Sequence, residues 1–112
     1  MATADDPMPK CARCGQLTRP GVVWFGEMLP DGVFERAVKL AADAEVVLVV
    51  GTSSQVYPAA SLAGIAKSAG AFVAEINPNA TAFSESADVV IAHEAGIALP
   101  RMEEILSGLV GK

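Results

Sequence analysis

From Ala44 to the end of the chain, the hydrophobic positions recur with two different periods. Glu45 to Val50 is a short β-branched run, closed by Gly51 and the polar cluster Thr52-Ser53-Ser54-Gln55. Its apolar character is continuous rather than alternating, which suits a strand covered on both faces, as in a parallel sheet. Pro58 then reads as a first helical residue. Ala59, Ala60, Leu62, Ala63, Ile65, Ala66 and Ala69 predict a nearly all-apolar helix that Gly70 stops. Ala71 to Ile76 reads as a second strand, ended by the loop signal Asn77-Pro78-Asn79, and Asp88 to Ala92 as a third. Behind Pro100, Met102, Ile105, Leu106, Leu109 and Val110 recur at i, i+3, i+4, i+7 and i+8, the stripe of an amphipathic helix. Upstream, Val22 to Phe25 reads as a strand. Val33 to Asp43 reads as a helix burying Val33, Phe34, Ala37, Val38 and Leu40. The order β-α-β-α-β-β-α predicts an α/β fold, a parallel sheet with right-handed crossovers and helices on its faces. Such sheets bind ligands at the carboxyl ends of their strands. The loops after Val50, Ile76 and Ala92 are therefore expected to converge on one crevice.

Composition narrows the function classes. The 112 residues are enough for one domain at most. With 52% hydrophobic against 19% charged residues, the chain is too apolar for intrinsic disorder. Its longest aliphatic run, Val46 to Val50, falls far short of the ~20 residues of a spanning helix, so no membrane segment is expected. Net charge is −5 and the bases form no stripe, which argues against nucleic acid as a partner. Met1 to Lys10 carries Asp5, Asp6 and two prolines without an apolar stretch, and reads as a loose lead-in rather than a secretory signal. A reducing cytoplasm is the expected compartment. There, a C-x-x-C pair such as Cys11 and Cys14 is more often metal-binding or redox-active than a structural staple.

Six features are weighed as candidates for chemistry. Gly51-Thr52-Ser53, between strand and helix, offers backbone N–H groups and two hydroxyls to a phosphate or a ribose, or is an ordinary turn. It matches neither G-x-G-x-x-G nor the P-loop pattern. Asn77-Pro78-Asn79 presents amides that suit an adenosine ribose, and is also a stock turn. Cys11-Ala12-Arg13-Cys14-Gly15 looks like a zinc knuckle, but a structural zinc takes four ligands and the chain has two cysteines. The one histidine, His93, has no nucleophile or carboxylate placed to serve it and reads as a surface or capping residue. Glu103 and Glu104 suit the macrodipole and solvent face of the last helix. Arg19 to Glu27 alternates like a strand, with Trp24 and Phe25 either in the core or beside an edge that captures a peptide by strand addition.

In their order along the chain, these segments resemble the C-terminal part of the sirtuins, NAD-dependent protein-lysine deacylases, and look most like bacterial members. The matching strings are Cys11-x-x-Cys14-Gly15, Arg19-Pro20-x-Val22-Val23-Trp24-Phe25-Gly26-Glu27, Gly51-Thr52-Ser53-x-x-Val56-Tyr57-Pro58-Ala59-Ala60, Ile76-Asn77 and Gly96-x-Ala98. The resemblance implies a partial Rossmann-like parallel sheet with helices on both faces, preceded by half of a zinc-binding knuckle. It implies a lead-in at 1–9, the half knuckle at 10–21 and the C-terminal part of an NAD-binding domain at 22–112. Gly51, Thr52, Ser53, Asn77, Pro78, Asn79 and Ala98 would contact NAD. Val23, Phe25 and Val56 would line an acyl-lysine tunnel, and the backbone at Gly26-Glu27 and Val56-Tyr57 would hold the substrate peptide as an extra strand. Cys11 and Cys14 would be one pair of a four-cysteine structural zinc site.

The family's G-A-G-x-S phosphate loop, Gln-Asn-x-Asp segment, catalytic His-Gly and first cysteine pair have no counterpart in these residues. No catalytic residue is therefore expected in this chain, and His93 is not given that role. The expectation is a C-terminal portion of such an enzyme, inactive alone, that meets a complementary N-terminal half or associates with itself. The other reading is a non-catalytic nucleotide- or peptide-binding module. An exposed apolar patch larger than the few hundred Å² usual for monomers is expected.

Overall fold

A parallel sheet organises the computed structural model, which describes residues 8–111. The 1–7 part of the expected lead-in lies outside the described residues. The sheet has the order β1 (Val46–Val50), β2 (Phe72–Ile76), β3 (Val89–Ile91). Val46 pairs with Phe72 and Val50 with Ile76, while Ala74 pairs with Val89 and Ile76 with Ile91. Helix α2 (Ser61–Ser68) packs on β1 and β2, and α1 (Val33–Ala42) packs on α2. The 3-10 turn Ser84–Ser86 precedes β3, and α3 (Ala95–Val110) ends the fold. This is the α/β arrangement that the hydrophobic periods predict. No described helix is long and apolar enough to cross a membrane.

The core lies between β2 and α2, where Val49, Ala63, Ala66, Ala71, Val73 and Phe83 form one buried cluster. Small alanines on α2 let the helix approach the branched side chains of the strands closely, as ridge-and-groove packing needs. Asp88 ties three elements at once. Its carboxylate accepts from the Val73 N–H at 2.8 Å and from Lys67 Nζ at 2.7 Å.

Several local expectations are corrected. Val22 to Phe25 is not a strand: no strand lies beside it among the described residues, and the segment turns sharply at 25–26. Pro58 sits in a turn, and α2 starts only at Ser61, whose hydroxyl donates to the Pro58 carbonyl at 2.7 Å. Pro100 does not open α3 but lies inside it.

The larger corrections concern burial. α1 has no buried residue, with Leu40 and Val33 exposed. β1 is covered on one face only: Val46 is 60% and Leu48 46% exposed. On α3, Ala98 alone is buried, and Ile105, Leu106, Leu109 and Val110 face outward. The whole molecule shows the same feature. Its Cα radius of gyration is 18.3 Å, against about 13 Å for a compact chain of this length. It exposes 8854 Å², against roughly 5,800 Å² for a folded monomer of this mass.

Candidate functional site

Two features meet along the segment that follows β1, the hydrogen-bonded loops at the strand ends and an apolar cavity. The first lies at the carboxyl ends of the strands. Gly51 adopts φ 61°, open to glycine at no steric penalty, and its N–H donates to the Ile76 carbonyl at 3.0 Å. Thr52 Oγ1 accepts from the Ser54 N–H at 3.2 Å, and the Ser53 side chain is exposed. Asn77 joins the loops. Its Nδ2 donates to the Thr52 carbonyl at 3.0 Å and its Oδ1 accepts from the Asn79 N–H at 3.1 Å. The Ala82 N–H reaches the Ser53 carbonyl at 3.4 Å. The loops after β1 and β2 are thus strapped into one wall, with Pro78 and Asn79 exposed on it. α3 starts from the carboxyl end of β3, with Ala98 buried in its first turns.

Beneath that wall stands Glu75, fully buried in the central strand. Its two oxygens accept from the hydroxyls of Thr81 and Ser84. The network continues outward, since Thr81 Oγ1 accepts from the Phe83 N–H at 3.1 Å and Ser84 Oγ from the Thr81 N–H at 2.7 Å. A buried carboxylate is tolerable when its lone pairs are met in this way. The hydrophobic pattern gave this residue no role. Its signal was an acid amid an apolar run with Thr and Ser a few residues downstream.

The second feature is an apolar cavity of about 600 Å³. Val23, Phe25, Gly26, Glu27, Val56 and Tyr57 all line it, with Phe34 of α1 and Leu62 of α2 behind them. The Arg19–Glu27 segment forms one wall as a closed loop. Arg19 makes a bidentate pair with the Glu27 carboxylate at 2.8 and 3.0 Å, donates to the Val22 carbonyl at 3.0 Å, and lies 4.2 Å over the Trp24 ring. Glu27 also accepts from the Trp24 N–H at 3.0 Å. The Arg19 guanidinium first, and that N–H second, hold the Glu27 carboxyl below its ordinary range.

The cysteine knuckle stands apart. Cys11 and Gln16 are linked by an N–H···O bond of 2.8 Å, Gly15 turns at φ 71°, and Lys10 bridges Leu17. Backbone N–H groups of Arg13 and then Cys14 pull the Cys11 thiol below its usual value, with the Cys14 side chain adding to them. Both thiols are free. Among the described residues no third His, Cys, Asp or Glu joins them in a group that could hold a metal ion. His93 is exposed, its N–H bonded to the Ile91 carbonyl.

The model of the Sir2 family matches residues 2–58. An NAD-dependent protein deacylase of Ralstonia nicotianae is 52% identical over 103 residues, covering 91% of this chain and 42% of the relative. A solved Sir2 homolog–NAD complex superposes with a TM-score of 0.80 at 45% identity, covering 92% of this chain and 40% of that one. Sir2Tm bound to a propionylated peptide superposes at 0.71 and 35% identity, over 87% and 41%. The chain spans about two fifths of the length of the curated relatives it matches.

Proposed function

The chain belongs to the Sir2 family, and from that premise we propose that it contributes the acyl-lysine and part of the NAD surface of an NAD-dependent protein-lysine deacylase. One observation carries the reading. The short segment from Gly51 to Pro58 joins the strand-end loops at Thr52, through the Asn77 strap, to the apolar cavity at Val56 and Tyr57. A cofactor on the strand-end loops and an acyl-lysine in the cavity would therefore lie side by side.

In this reading, the Gly51–Ser53 backbone and hydroxyls hold NAD, with Asn77, Pro78 and Asn79 beside the adenosine ribose and Ala98 beside the adenine. Asn77 does its part chiefly by fixing Thr52, since its amide is already engaged. NAD supplies the bond to nicotinamide whose cleavage opens the ribose to the acyl oxygen. Val23, Phe25 and Val56 exclude water around the acyl chain, and the backbones of Gly26-Glu27 and Val56-Tyr57 align the peptide as an added strand. Cys11 and Cys14 supply two of the four thiolates of a structural zinc site. A reducing cytoplasm suits two free thiols.

No side chain here is assigned as the base, so the 112-residue chain is expected not to turn over. Titration calorimetry with NAD and with an acetyl-lysine peptide, alongside a nicotinamide-release assay, tests this. Binding without release supports the reading; release above background overturns the inactivity, and no binding of either ligand overturns the site.

A further inference from the structure

Among the described residues, Glu75 is the one buried polar side chain. It sits in the central strand, in register with Val49 of β1 and Val90 of β3. Apolar groups of the same shape in place of a buried carboxylate and its hydroxyl partners can be neutral for stability, or better. Packing therefore does not account for an acid at this position. Its bonds do. The chain leaves β2 at Ile76, and Thr81 and Ser84 bring it back, each donating its hydroxyl to one oxygen of the Glu75 carboxylate. The Phe83 ring, buried between them in sequence, anchors the segment by burial alone. A buried ring fixes depth, whereas two hydroxyls on one carboxylate fix direction as well. The segment is thereby latched onto its own strand, with Asn77, Pro78 and Asn79 inside the closed loop.

From this loop two donors reach the turn after β1. Asn77 Nδ2 meets the Thr52 carbonyl at 3.0 Å, and the Ala82 N–H meets the Ser53 carbonyl at 3.4 Å. Thr52 and Ser53 are exposed, so water competes for both bonds. Such bonds contribute little unless their donors are already held in place. The latch holds both: Ala82 follows Thr81 directly, and Asn77 lies two residues beyond Glu75. The carboxylate thus acts on the Gly51–Ser53 turn across two loops, without lying in either.

We propose that Glu75 is a positioning residue for the adenosine end of the cofactor, holding the Asn77–Ala82 loop and, through it, Thr52 and Ser53 in their binding geometry before the ligand arrives. This rests on the reading of these loops as part of an NAD surface. It adds that the ordering is local to the strand ends. Among the described residues no hydrogen bond links the 77–84 segment to a residue lining the apolar cavity. ADP-ribose, which carries the same adenosine end, should therefore depend on the latch as NAD does. An acyl-lysine peptide should not.

Calorimetric titration of the 112-residue chain with NAD, with ADP-ribose and with an acetyl-lysine peptide tests this on two variants. Glu75→Met combined with Thr81→Val and Ser84→Ala removes the whole latch at similar volume and orphans none of its groups, so the urea midpoint should stay near that of the wild type. Ser84→Ala alone, at a half-buried position, frees one carboxylate oxygen and keeps the fold. The triple variant should lose about tenfold in affinity for NAD and ADP-ribose alike, and the single variant a smaller share. In both, peptide affinity should be unchanged and the Asn79 amide should exchange faster. If no folded variant lowers NAD affinity, the positioning role is overturned while the proposed site stands. An equal loss of peptide affinity also overturns it, since Glu75 would then support the frame as a whole. Failure of the unaltered chain to bind NAD or ADP-ribose overturns the proposed cofactor surface itself, and the positioning role with it.

Discussion

Val73 and Ala66, where β2 meets α2, are fully buried, whereas Phe25, on the loop closed by Arg19 and Glu27, is 92% exposed. Both regions are ordered, but by different means. The first is held by removing branched side chains from water and meeting every polar group left inside. The second is held by one guanidinium that pairs with a carboxylate, caps a carbonyl and covers an indole. Burial survives salt and acid; an exposed ion pair does not. The contrast divides a buried frame at the strand ends from an exposed, ion-paired loop facing the apolar cavity.

The hardest test of that division is a cavity in the buried region. Ile76 ends β2 with no exposed surface. Ile76→Ala should destabilise the fold by about 2–5 kcal/mol, a large share of the ~5–15 kcal/mol of a typical domain. The midpoint of urea unfolding reads this directly, and a loss below about 1 kcal/mol would show that the sheet centre is looser than its burial implies.

Glu75 comes next. Glu75→Ala leaves the hydroxyls of Thr81 and Ser84 without their acceptor and should cost about 1–3 kcal/mol. Glu75→Gln, which keeps one acceptor oxygen, should recover part of that loss. The same variant should loosen the 77–84 loop, visible as faster amide exchange at Asn79 and Phe83. Full stability in Glu75→Ala would mean that the carboxylate is a passenger rather than an anchor.

Much of this was legible in the chain. Val46–Val50 and Phe72–Ile76 announce themselves as strands because their β-branched runs end in Gly51 and Asn77, and the matching strings put the cavity-lining residues together before any geometry. Three features were not. Val22 to Phe25 alternates like a strand, but alternation cannot reveal that no neighbouring strand exists. Pro100 looks like a helix start because local propensity favours that place, but the helix begins at Ala95 and carries Pro100 within it. The bare faces of β1 and α3 were also hidden. Periodicity shows which side of an element is apolar, but not whether anything arrives to cover it.

The smallest expected effect belongs to the exposed loop. Trp24, the one tryptophan of the chain, lies under Arg19, and Arg19 is held there by Glu27. Glu27 has its pKa lowered by Arg19 and by the Trp24 N–H. A lowered carboxylate favours the closed loop fully above its ordinary value near pH 4.5, and that preference disappears as pH falls through the depressed folded value. Trp24 emission should therefore stay constant from neutral pH to about 4.5 and change only below it, where the carboxyl protonates and Arg19 leaves the ring. Asp88 is lowered too, by Lys67 first and the Val73 N–H second, so global unfolding in acid has to be separated from loop opening. Glu27→Gln does so. It should remove the acid transition of Trp24 at constant secondary structure and leave the melting temperature at neutral pH unchanged, because an exposed pair contributes little to the fold. If emission titrates above pH 4.5, or if Glu27→Gln lowers the melting temperature as Glu75→Ala does, the loop is part of the buried frame and the division between the two walls fails.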